Sequence, residues 1–394
     1  MDKLVYVYYL VLIGILFWGA KFYSKGTWND GFMSLSQSKA VQGFCAICIM
    51  FHHIGQKRCA YWLDPQYIVP GLEVFVPIGY YFVGIFLFCS GFGLYKSYKE
   101  KANYLKGFFS RRVLPVIVGF YSTGFIFLIV RLLMGEKMSL PQLIFYITGL
   151  QLCNPTTWFV IVLPILYLGF YIAFKCCKNE KTATWATCGF VVVYTLMGTM
   201  IDHNNWWMRG EWWYNSVHFF SFGLLFARYE GAIMNKVKKH YVPYVVLAFI
   251  SIFIFYFLSE YAQAVFSYYG EDFGANFIVL RRWVCLLSQI AASSAFVFFV
   301  FMLGLKIKIG NKVLAFMGSI TLEFYLIHGL FIELFSYSFL DFAPGLYEIK
   351  NLAFLVGVVA VLGILSAVLL QKFHKWLLYL LLGDKNRKVT SLKA

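Results

Sequence analysis

Four ionisable residues that could carry chemistry lie inside long apolar segments of this sequence. His52 and His53 are adjacent in one segment, and Glu323 and His328 lie in another. Ionisable side chains are costly in lipid, and those that occur there tend to be functional. A neutral imidazole can take a proton from a hydroxyl group as that group attacks a carbonyl carbon. The four residues are therefore candidate catalytic groups, although a buried histidine can also serve only to bond a neighbouring carbonyl.

The two histidine-bearing segments are predicted to enter the membrane from the same side, one near Lys39 and the other near Val313. At the rise of an α-helix, His53 lies roughly 20 Å in, His328 roughly 22 Å in and Glu323 roughly 15 Å in. We therefore expect His53 and His328 to flank one cavity. Glu323 is expected on the cytoplasmic side of that cavity.

The elements that position these residues are predicted by a mostly apolar composition. Of 394 residues, 61% are hydrophobic and only 13% are charged, whereas a soluble domain carries roughly 25% charged residues. The long apolar runs predict helices, because barrel strands are short and alternate in polarity. The sequence thus predicts an all-α polytopic membrane protein with about eleven transmembrane helices. The predicted spans are 4–22, 39–56, 72–95, 112–134, 157–175, 184–201, 214–228, 241–259, 280–305, 313–337 and 351–382.

The apolar stretch 141–152 is too short to span a membrane and is predicted to be re-entrant or interfacial. Cys45 and Cys48 form a C-x-x-C motif within a predicted span. No second cysteine pair follows at metal-ligand spacing, so we expect helix packing there and no metal.

The basic residues predict an orientation. The net charge is +16, and Lys and Arg accumulate in cytoplasmic loops. With the N-terminus outside, alternating spans place 23 of the 34 Lys and Arg residues in cytoplasmic segments and eight outside. We therefore expect a multi-pass protein of the plasma membrane with a cytoplasmic C-terminus. The basic composition then requires membrane lipid rather than nucleic acid as its partner.

Two further segments could bind ligands. The segment 96–112 holds six basic residues and ends in Arg111 and Arg112, just ahead of Pro115. It is either an orientation signal alone or a site for a phosphorylated cytosolic ligand, since guanidinium groups suit bidentate phosphate contacts. The outer loop 202–214 predicts an aromatic belt at the membrane interface or, alternatively, a stacking surface for a sugar or lipid headgroup. Its aromatic residues are Trp206, Trp207, Trp212, Trp213 and Tyr214.

Six blocks of the sequence, in chain order over about residues 39–380, resemble membrane acyltransferase family 3. They are 39–53 (KAVQGFCAICIMFHH), 86–95 (FLFCSGFGLY), 104–115, 157–159 (TWF), 214–228 and 319–328 (SITLEFYLIH). The resemblance implies a core of ten helices with both core termini in the cytoplasm, which agrees with the charge-derived topology. It also implies transfer of acyl groups, usually acetyl from acetyl-coenzyme A, to extracytoplasmic sugars and some small molecules.

The resemblance implies roles for particular residues. His53 corresponds to the family's histidine, the expected general base. Arg111 and Arg112 correspond to its basic motif, which meets the phosphates of coenzyme A. Many members have Arg or Lys at the position of Gln42, and Lys39 lies one helical turn earlier on a similar face.

We therefore expect acyl-coenzyme A to dock from the cytoplasm against the following residues: Arg111, Arg112, Lys106, Lys39 and Gln42. An extracytoplasmic saccharide or lipid-linked acceptor is expected to contact Trp158, Ser90, Trp212 and Trp213. Ser90 and Cys89 could also accept an acyl group covalently. The predicted domains are an extra N-terminal helix with its loop (1–38), the ten-helix acyltransferase domain (39–383) and a basic cytoplasmic tail (384–394).

Two other functions remain open on the sequence alone. A multi-pass transporter or a lipid or glycan flippase would use the same buried polar groups without acyl chemistry, although the repeated halves typical of transporters are not evident. An acyltransferase acting on a small molecule or lipid is the second alternative.

Overall fold

The computed structural model describes residues 3–203, 208–266 and 274–383. Trp206, Trp207 and the predicted tail 384–394 lie outside the described residues. Within the described ranges the chain forms thirteen α-helices and four strands of two residues each. The helices are α1 (Val7–Phe17), α2 (Leu35–Arg58), α3 (Gly79–Glu100), α4 (Leu114–Leu133), α5 (Leu140–Thr148), α6 (Trp158–Cys176), α7 (Glu180–Met200), α8 (His218–Lys239), α9 (Tyr241–Val265), α10 (Ile278–Gly304), α11 (Lys312–Ser319), α12 (Thr321–Phe335) and α13 (Leu352–Leu382).

The predicted all-α polytopic membrane fold is confirmed. In the described part of the chain, six helices are long and apolar enough to cross a membrane, namely α4 with its preceding turn, α6, α7, α9, α10 and α13. The bent pair α11 and α12 makes a seventh if it is counted as one span. The remaining predicted spans are also helical, as α1, α2, α3 and α8, but α1 has only 11 residues. The count of eleven spans stays a prediction.

The predicted single helix 313–337 is wrong, because α11 and α12 are bent by 81°. The bend lies next to a close contact between α11 and α2. A Cβ atom on Gly318 would lie 2.2 Å from the carbonyl oxygen of Lys39, and one on Gly43 would lie 2.5 Å from the carbonyl oxygen of Leu314. Only glycine allows two backbones to approach so closely. The depths estimated above for the residues of α12 assumed a straight helix and stay predictions.

Glycine also joins α3 to α8. A Cβ atom on Gly91 would lie 2.0 Å from the carbonyl oxygen of Phe220, and one on Gly223 would lie 2.0 Å from that of Phe88. The two helices therefore touch backbone to backbone at reciprocal positions. The phenylalanine-rich segment 86–95 thus holds α3 firmly against α8.

The two ends of the bundle are named here by the contacts found at each. The basic end holds the ion pair of Lys238 with Asp30 at 2.7 Å and the bond from Lys306 to the Ser24 carbonyl at 2.8 Å. It also holds the connection between α3 and α4. The opposite end is called the far end. It holds the last residues of α2, where Lys57 pairs with Glu333 at 2.8 Å.

The N-terminal helix is attached to the rest of the bundle. After α1, strand β1 (Lys21–Phe22) pairs antiparallel with strand β2 (Ile307–Lys308), which lies between α10 and α11. Asn311 donates to the Ile15 carbonyl at 2.8 Å, and Tyr8 donates to the Ala353 carbonyl at 3.0 Å. A second small pair, β3 (Ser338–Phe339) and β4 (Ala343–Pro344), follows α12.

Candidate active site

The structure brings His53 of α2 and His328 of α12 together. The Nδ1 atom of His53 lies 2.7 Å from the Nε2 atom of His328. Their rings are nearly parallel, at an angle of 8° with centroids 5.0 Å apart. His328 is fully buried, whereas His53 is only partly buried. His53 therefore keeps some exposed surface, which His328 lacks.

The hydrogen bonds of this pair assign the tautomers of both rings. The Nδ1 atom of His328 lies 2.7 Å from the carbonyl oxygen of Phe324. A carbonyl oxygen only accepts, so Nδ1 of His328 carries the proton and its Nε2 atom is an acceptor. His53 must then donate from its own Nδ1 atom. This leaves the Nε2 atom of His53 unprotonated and able to act as a base.

His52 faces a different part of the protein. Its Nδ1 atom lies 2.9 Å from the Phe75 carbonyl oxygen, and a Cβ atom on Gly79 would lie 2.4 Å or less from its ring. His52 thus packs against the start of α3. It contacts His53 only through neighbouring rings, with centroids 5.2 Å apart.

The loop between α5 and α6 docks on α12 close to the histidine pair. Asn154 is buried and donates to the Leu326 carbonyl at 2.9 Å, while Tyr325 donates to the Thr156 carbonyl at 2.5 Å. The ring of Tyr325 lies 6.4 Å from that of His53, between centroids. These bonds fix α12 against the entry of α6 and thereby hold His328 in place.

Glu323 bonds a residue outside the histidine pair, and its expected place on the cytoplasmic side of a cavity between His53 and His328 stays a prediction. Its Oε1 atom lies 3.2 Å from the Nδ1 atom of His374 on α13. The Nε2 atom of His374 in turn lies 2.6 Å from the Oγ atom of Ser122 on α4. Since Glu323 and His328 are five residues apart on one helix, their side chains point in directions roughly 140° apart.

Arg111 and Arg112 lie in a π-helical turn, Phe109–Val113, which leads into α4. Arg111 donates to the Tyr104 carbonyl at 2.5 Å. Arg112 donates to the Tyr104 hydroxyl at 2.8 Å and to the Ser97 hydroxyl at 3.1 Å. Both guanidinium groups also lie within 6 Å of the Tyr104 ring, at 5.6 and 5.8 Å from its centroid. Tyr104 therefore fixes the two cations side by side at the basic end.

The other predicted donor residues lie on different elements. Lys106 is exposed in the loop just before the π-helical turn. Lys39 is half-buried on α2, and its backbone contacts Gly318. Gln42, also half-buried, lies within hydrogen-bonding reach of the Cys89 thiol on α3. Lys39 and Gln42 are thus held in the packing between α2 and its neighbours, while Lys106 faces outward.

The predicted acceptor contacts are divided between the interior and the loop after α7. The hydroxyl oxygen of Ser90 lies 2.9 Å from that of Tyr167. Trp213 is 0% exposed and packs near Trp158, with ring centroids 6.5 Å apart. Trp212 is half-buried. An open stacking surface is therefore wrong for Trp213, because its ring is enclosed by the protein, while the interfacial belt stays a prediction.

Possible metal ligands were sought among the side chains of the described ranges. No group of three or more His, Cys, Asp or Glu side chains there could hold a metal ion.

A family model described as an acyltransferase domain matches residues 36–371. The chain belongs to the acyltransferase 3 family. The predicted resemblance is thereby confirmed over most of the chain. No curated protein and no solved structure matches the chain. Membership in the acyltransferase 3 family supports acyl transfer as the activity of this multi-pass membrane protein.

Three polar groups near these sites were not singled out from the sequence of this acyltransferase 3 member. Tyr104 orders the two arginines, Asn154 docks a loop on α12, and His374 bonds Glu323. The signal for His374 was available, since it is a histidine within an apolar span. Tyr104 and Asn154 gave no such signal, because polar residues next to spans are common.

Proposed function

We propose that this protein transfers an acyl group, acetyl in the first instance, from cytosolic acetyl-coenzyme A to a hydroxyl group of an extracytoplasmic glycan or glycolipid. The observation that carries the proposal is the His53–His328 hydrogen bond of 2.7 Å. With the Phe324 carbonyl behind it, this bond keeps the Nε2 atom of His53 free to accept a proton.

His53 acts as the general base. Its Nε2 atom takes the proton of the acceptor hydroxyl while the hydroxyl oxygen attacks the thioester carbonyl carbon. The new ester C–O bond forms and the C–S bond breaks. The thiolate of coenzyme A then takes this proton from His53 and leaves as the free thiol. While the ring of His53 is charged, it donates from Nδ1 to His328, and this hydrogen bond stabilises the charge.

The donor binds at the basic end. Arg111, Arg112 and Lys106 supply cations there, and bidentate arginine contacts suit phosphate groups. His53 lies fourteen residues beyond Lys39 on α2, which is roughly 21 Å along the helix. The acyl end of the donor therefore has to enter the bundle to reach His53.

The acceptor approaches from the far end. The positive-inside rule orients the basic end toward the cytoplasm of the cell, so the far end faces the outside of the plasma membrane. The α2 helix runs from one end to the other, and His53 lies nearer to its last residue, Arg58. A sugar hydroxyl arriving from outside thus meets the base before it meets the donor cations.

The experiment is a transfer assay in sealed membrane vesicles with radiolabelled acetyl-coenzyme A and the cells' own glycans. The parent and the control His240→Ala, an exposed histidine at the basic end, are expected to label the glycan fraction equally. His53→Ala, folded and in equal amount, is expected to lose about 10²–10⁴-fold in rate. Parent-like transfer by His53→Ala would overturn the role of His53. Movement of glycan or lipid by the parent without any acyl donor would favour the transporter alternative.

A further inference from the structure

Ser122, His374 and Glu323 form a hydrogen-bonded row that the proposed function does not use. Ser122 Oγ lies 2.6 Å from His374 Nε2, and His374 Nδ1 lies 3.2 Å from Glu323 Oε1. His374 and Glu323 are 3% and 8% exposed, while Ser122 is only partly buried. The three residues come from three different helices, α4, α13 and α12. The row therefore exists only in the folded protein.

A serine hydroxyl, an imidazole and a carboxylate in this order form the arrangement that activates a serine nucleophile. The carboxylate holds the proton of the imidazole on Nδ1, which leaves Nε2 facing the serine hydroxyl as a base. Ser122 Oγ also lies 2.6 Å from the Val118 carbonyl oxygen and 3.3 Å from that of Gly119, so its single proton has three acceptors within reach. Only His374 can remove that proton, since a carbonyl oxygen is not a base in water or lipid.

Ser122 lines a groove between α4, α12 and α13 with a volume of about 970 Å³. The groove follows α4 from Leu114 to Leu128, which is roughly 21 Å at the helical rise. The hydrocarbon core of a bilayer is about 30 Å thick. The groove thus has the length and position to hold a long acyl chain parallel to the membrane lipids.

The lining of the groove selects for hydrocarbon. Its walls are mostly aliphatic and aromatic, including Ile117, Phe125, Leu330, Leu369 and Phe373. Phe125 and Leu369 are 63% and 66% exposed, so the groove opens sideways toward the surrounding lipid. A polar sugar would find few partners there. The groove also lies on the face of α12 that carries Glu323, away from the face that carries His328.

We propose that Ser122, His374 and Glu323 form a second acyl-accepting site, which takes a long-chain acyl group from a thioester dissolved in the membrane. Ser122 Oγ attacks the carbonyl carbon while His374 takes the hydroxyl proton. The Oγ–C bond forms, the C–S bond breaks, and the thiolate leaves with the proton from His374. The product is an acyl ester of Ser122 and a free thiol, with no oxidant or metal involved.

The test uses the full chain in detergent and an alkyl fluorophosphonate, which phosphonylates activated serines and releases fluoride. Intact-mass spectrometry is expected to show one adduct, and peptide mapping is expected to place it on Ser122. Incubation with palmitoyl-coenzyme A is expected to give the corresponding acyl adduct at the same residue. Prior incubation with palmitoyl-coenzyme A should slow phosphonylation at least tenfold. Heat-denatured protein should not react.

Matched variants separate this site from the histidine pair. Ser122→Ala is expected to abolish labelling, His374→Gln to slow it at least a hundredfold, and Glu323→Gln at least tenfold. Ser90→Ala and His53→Ala should label at the parent rate, since neither residue belongs to the row. A folded parent protein with no adduct on Ser122, or with Ser122 labelling unchanged by His374→Gln, would overturn the proposal. Either result would leave the role of His53 untouched.

Discussion

The imidazole of His53 donates to that of His328 across 2.7 Å, from α2 to α12. The acceptor at this position therefore sets the tautomer of His53. We expect His328→Gln to retain more activity than His328→Ala, because an amide oxygen can accept the Nδ1 proton of His53 whereas a methyl group cannot. Initial rates of acetyl transfer, normalised to folded protein, provide the measurement. Equal rates for the two variants would contradict the tautomer assignment.

The phenol of Tyr104 binds one arginine through its hydroxyl and lies close to both. We expect the double variant Arg111→Ala/Arg112→Ala to weaken acetyl-coenzyme A binding at least tenfold, the loss of roughly one charge-assisted hydrogen bond. Tyr104→Phe, which frees Arg112 from one bond, should weaken binding less. Isothermal titration of purified protein measures both effects. Lys25→Ala, at an exposed position of the connection between α1 and α2, is the control and should bind as the parent does.

The contact between α3 and α8 leaves no room for a side chain at Gly223. Gly223→Ala would place a Cβ atom 2.0 Å from the Phe88 carbonyl oxygen and should cost about 1–3 kcal/mol or more. Gly93→Ala is the matched control, since a Cβ atom there meets nothing within 4 Å. Thermal unfolding in detergent, followed by tryptophan fluorescence, should show a lower midpoint for Gly223→Ala only. Equal midpoints would mean that the two helices can separate without loss.

Arg131 and Glu136 form a buried ion pair at the end of α4, with Nε and Oε2 atoms 2.5 Å apart. Arg131 also donates to the Cys153 carbonyl at 3.0 Å and to the Tyr146 hydroxyl at 2.7 Å. Arg131→Met should destabilise the protein by about 3–5 kcal/mol, because Glu136 would stay buried without its partner. The double variant Arg131→Met/Glu136→Gln should recover part of this loss. A double variant no more stable than the single one would argue against an electrostatic cause.

The orientation in the membrane is tested by an impermeant maleimide on intact cells. Cys176 is exposed, so it is first replaced by serine. In that background we expect Tyr61→Cys, at an 84% exposed position of the far end, to react from outside. Lys101→Cys, at the basic end, should react only after the membrane is opened. The reverse pattern would contradict the charge-derived topology and with it the proposed sides of donor and acceptor.

Helix formation could be predicted from the sequence because each apolar run is long enough to decide its own structure. Which connections share an end of the bundle could be predicted as well, since the basic residues cluster in particular connections. The bend at residue 320 could not, because the backbone contact beside it joins Gly318 to Lys39, a residue far away in the sequence. The burial of Trp213 was missed for a similar reason. Aromatic loops usually stay at the interface, and only the packing against Trp158 shows that the ring of Trp213 turns inward.

The position of Glu323 shows the limit of reasoning from depth alone. Two residues at comparable depth on one helix can serve different neighbours, and the direction of each side chain decides which. His328 was placed beside His53 correctly even though the helix that carries it is bent. Glu323 points instead to His374, whose significance depends on Ser122, a residue with no signal of its own in the sequence.

The pairing of β1, in the connection between α1 and α2, with β2, in the α10–α11 loop, has a consequence for biosynthesis. Asn311 and Ile15, which it helps to hold together, are 296 residues apart. During translation α1 therefore leaves the ribosome well before Asn311 does. Contacts this distant in sequence form slowly. Tyr9 of α1 also donates to the Gly71 carbonyl at 2.8 Å, a contact that can form soon after α2 is made, so α1 is attached in two stages, first to the residues that follow α2 and much later to the α10–α11 loop.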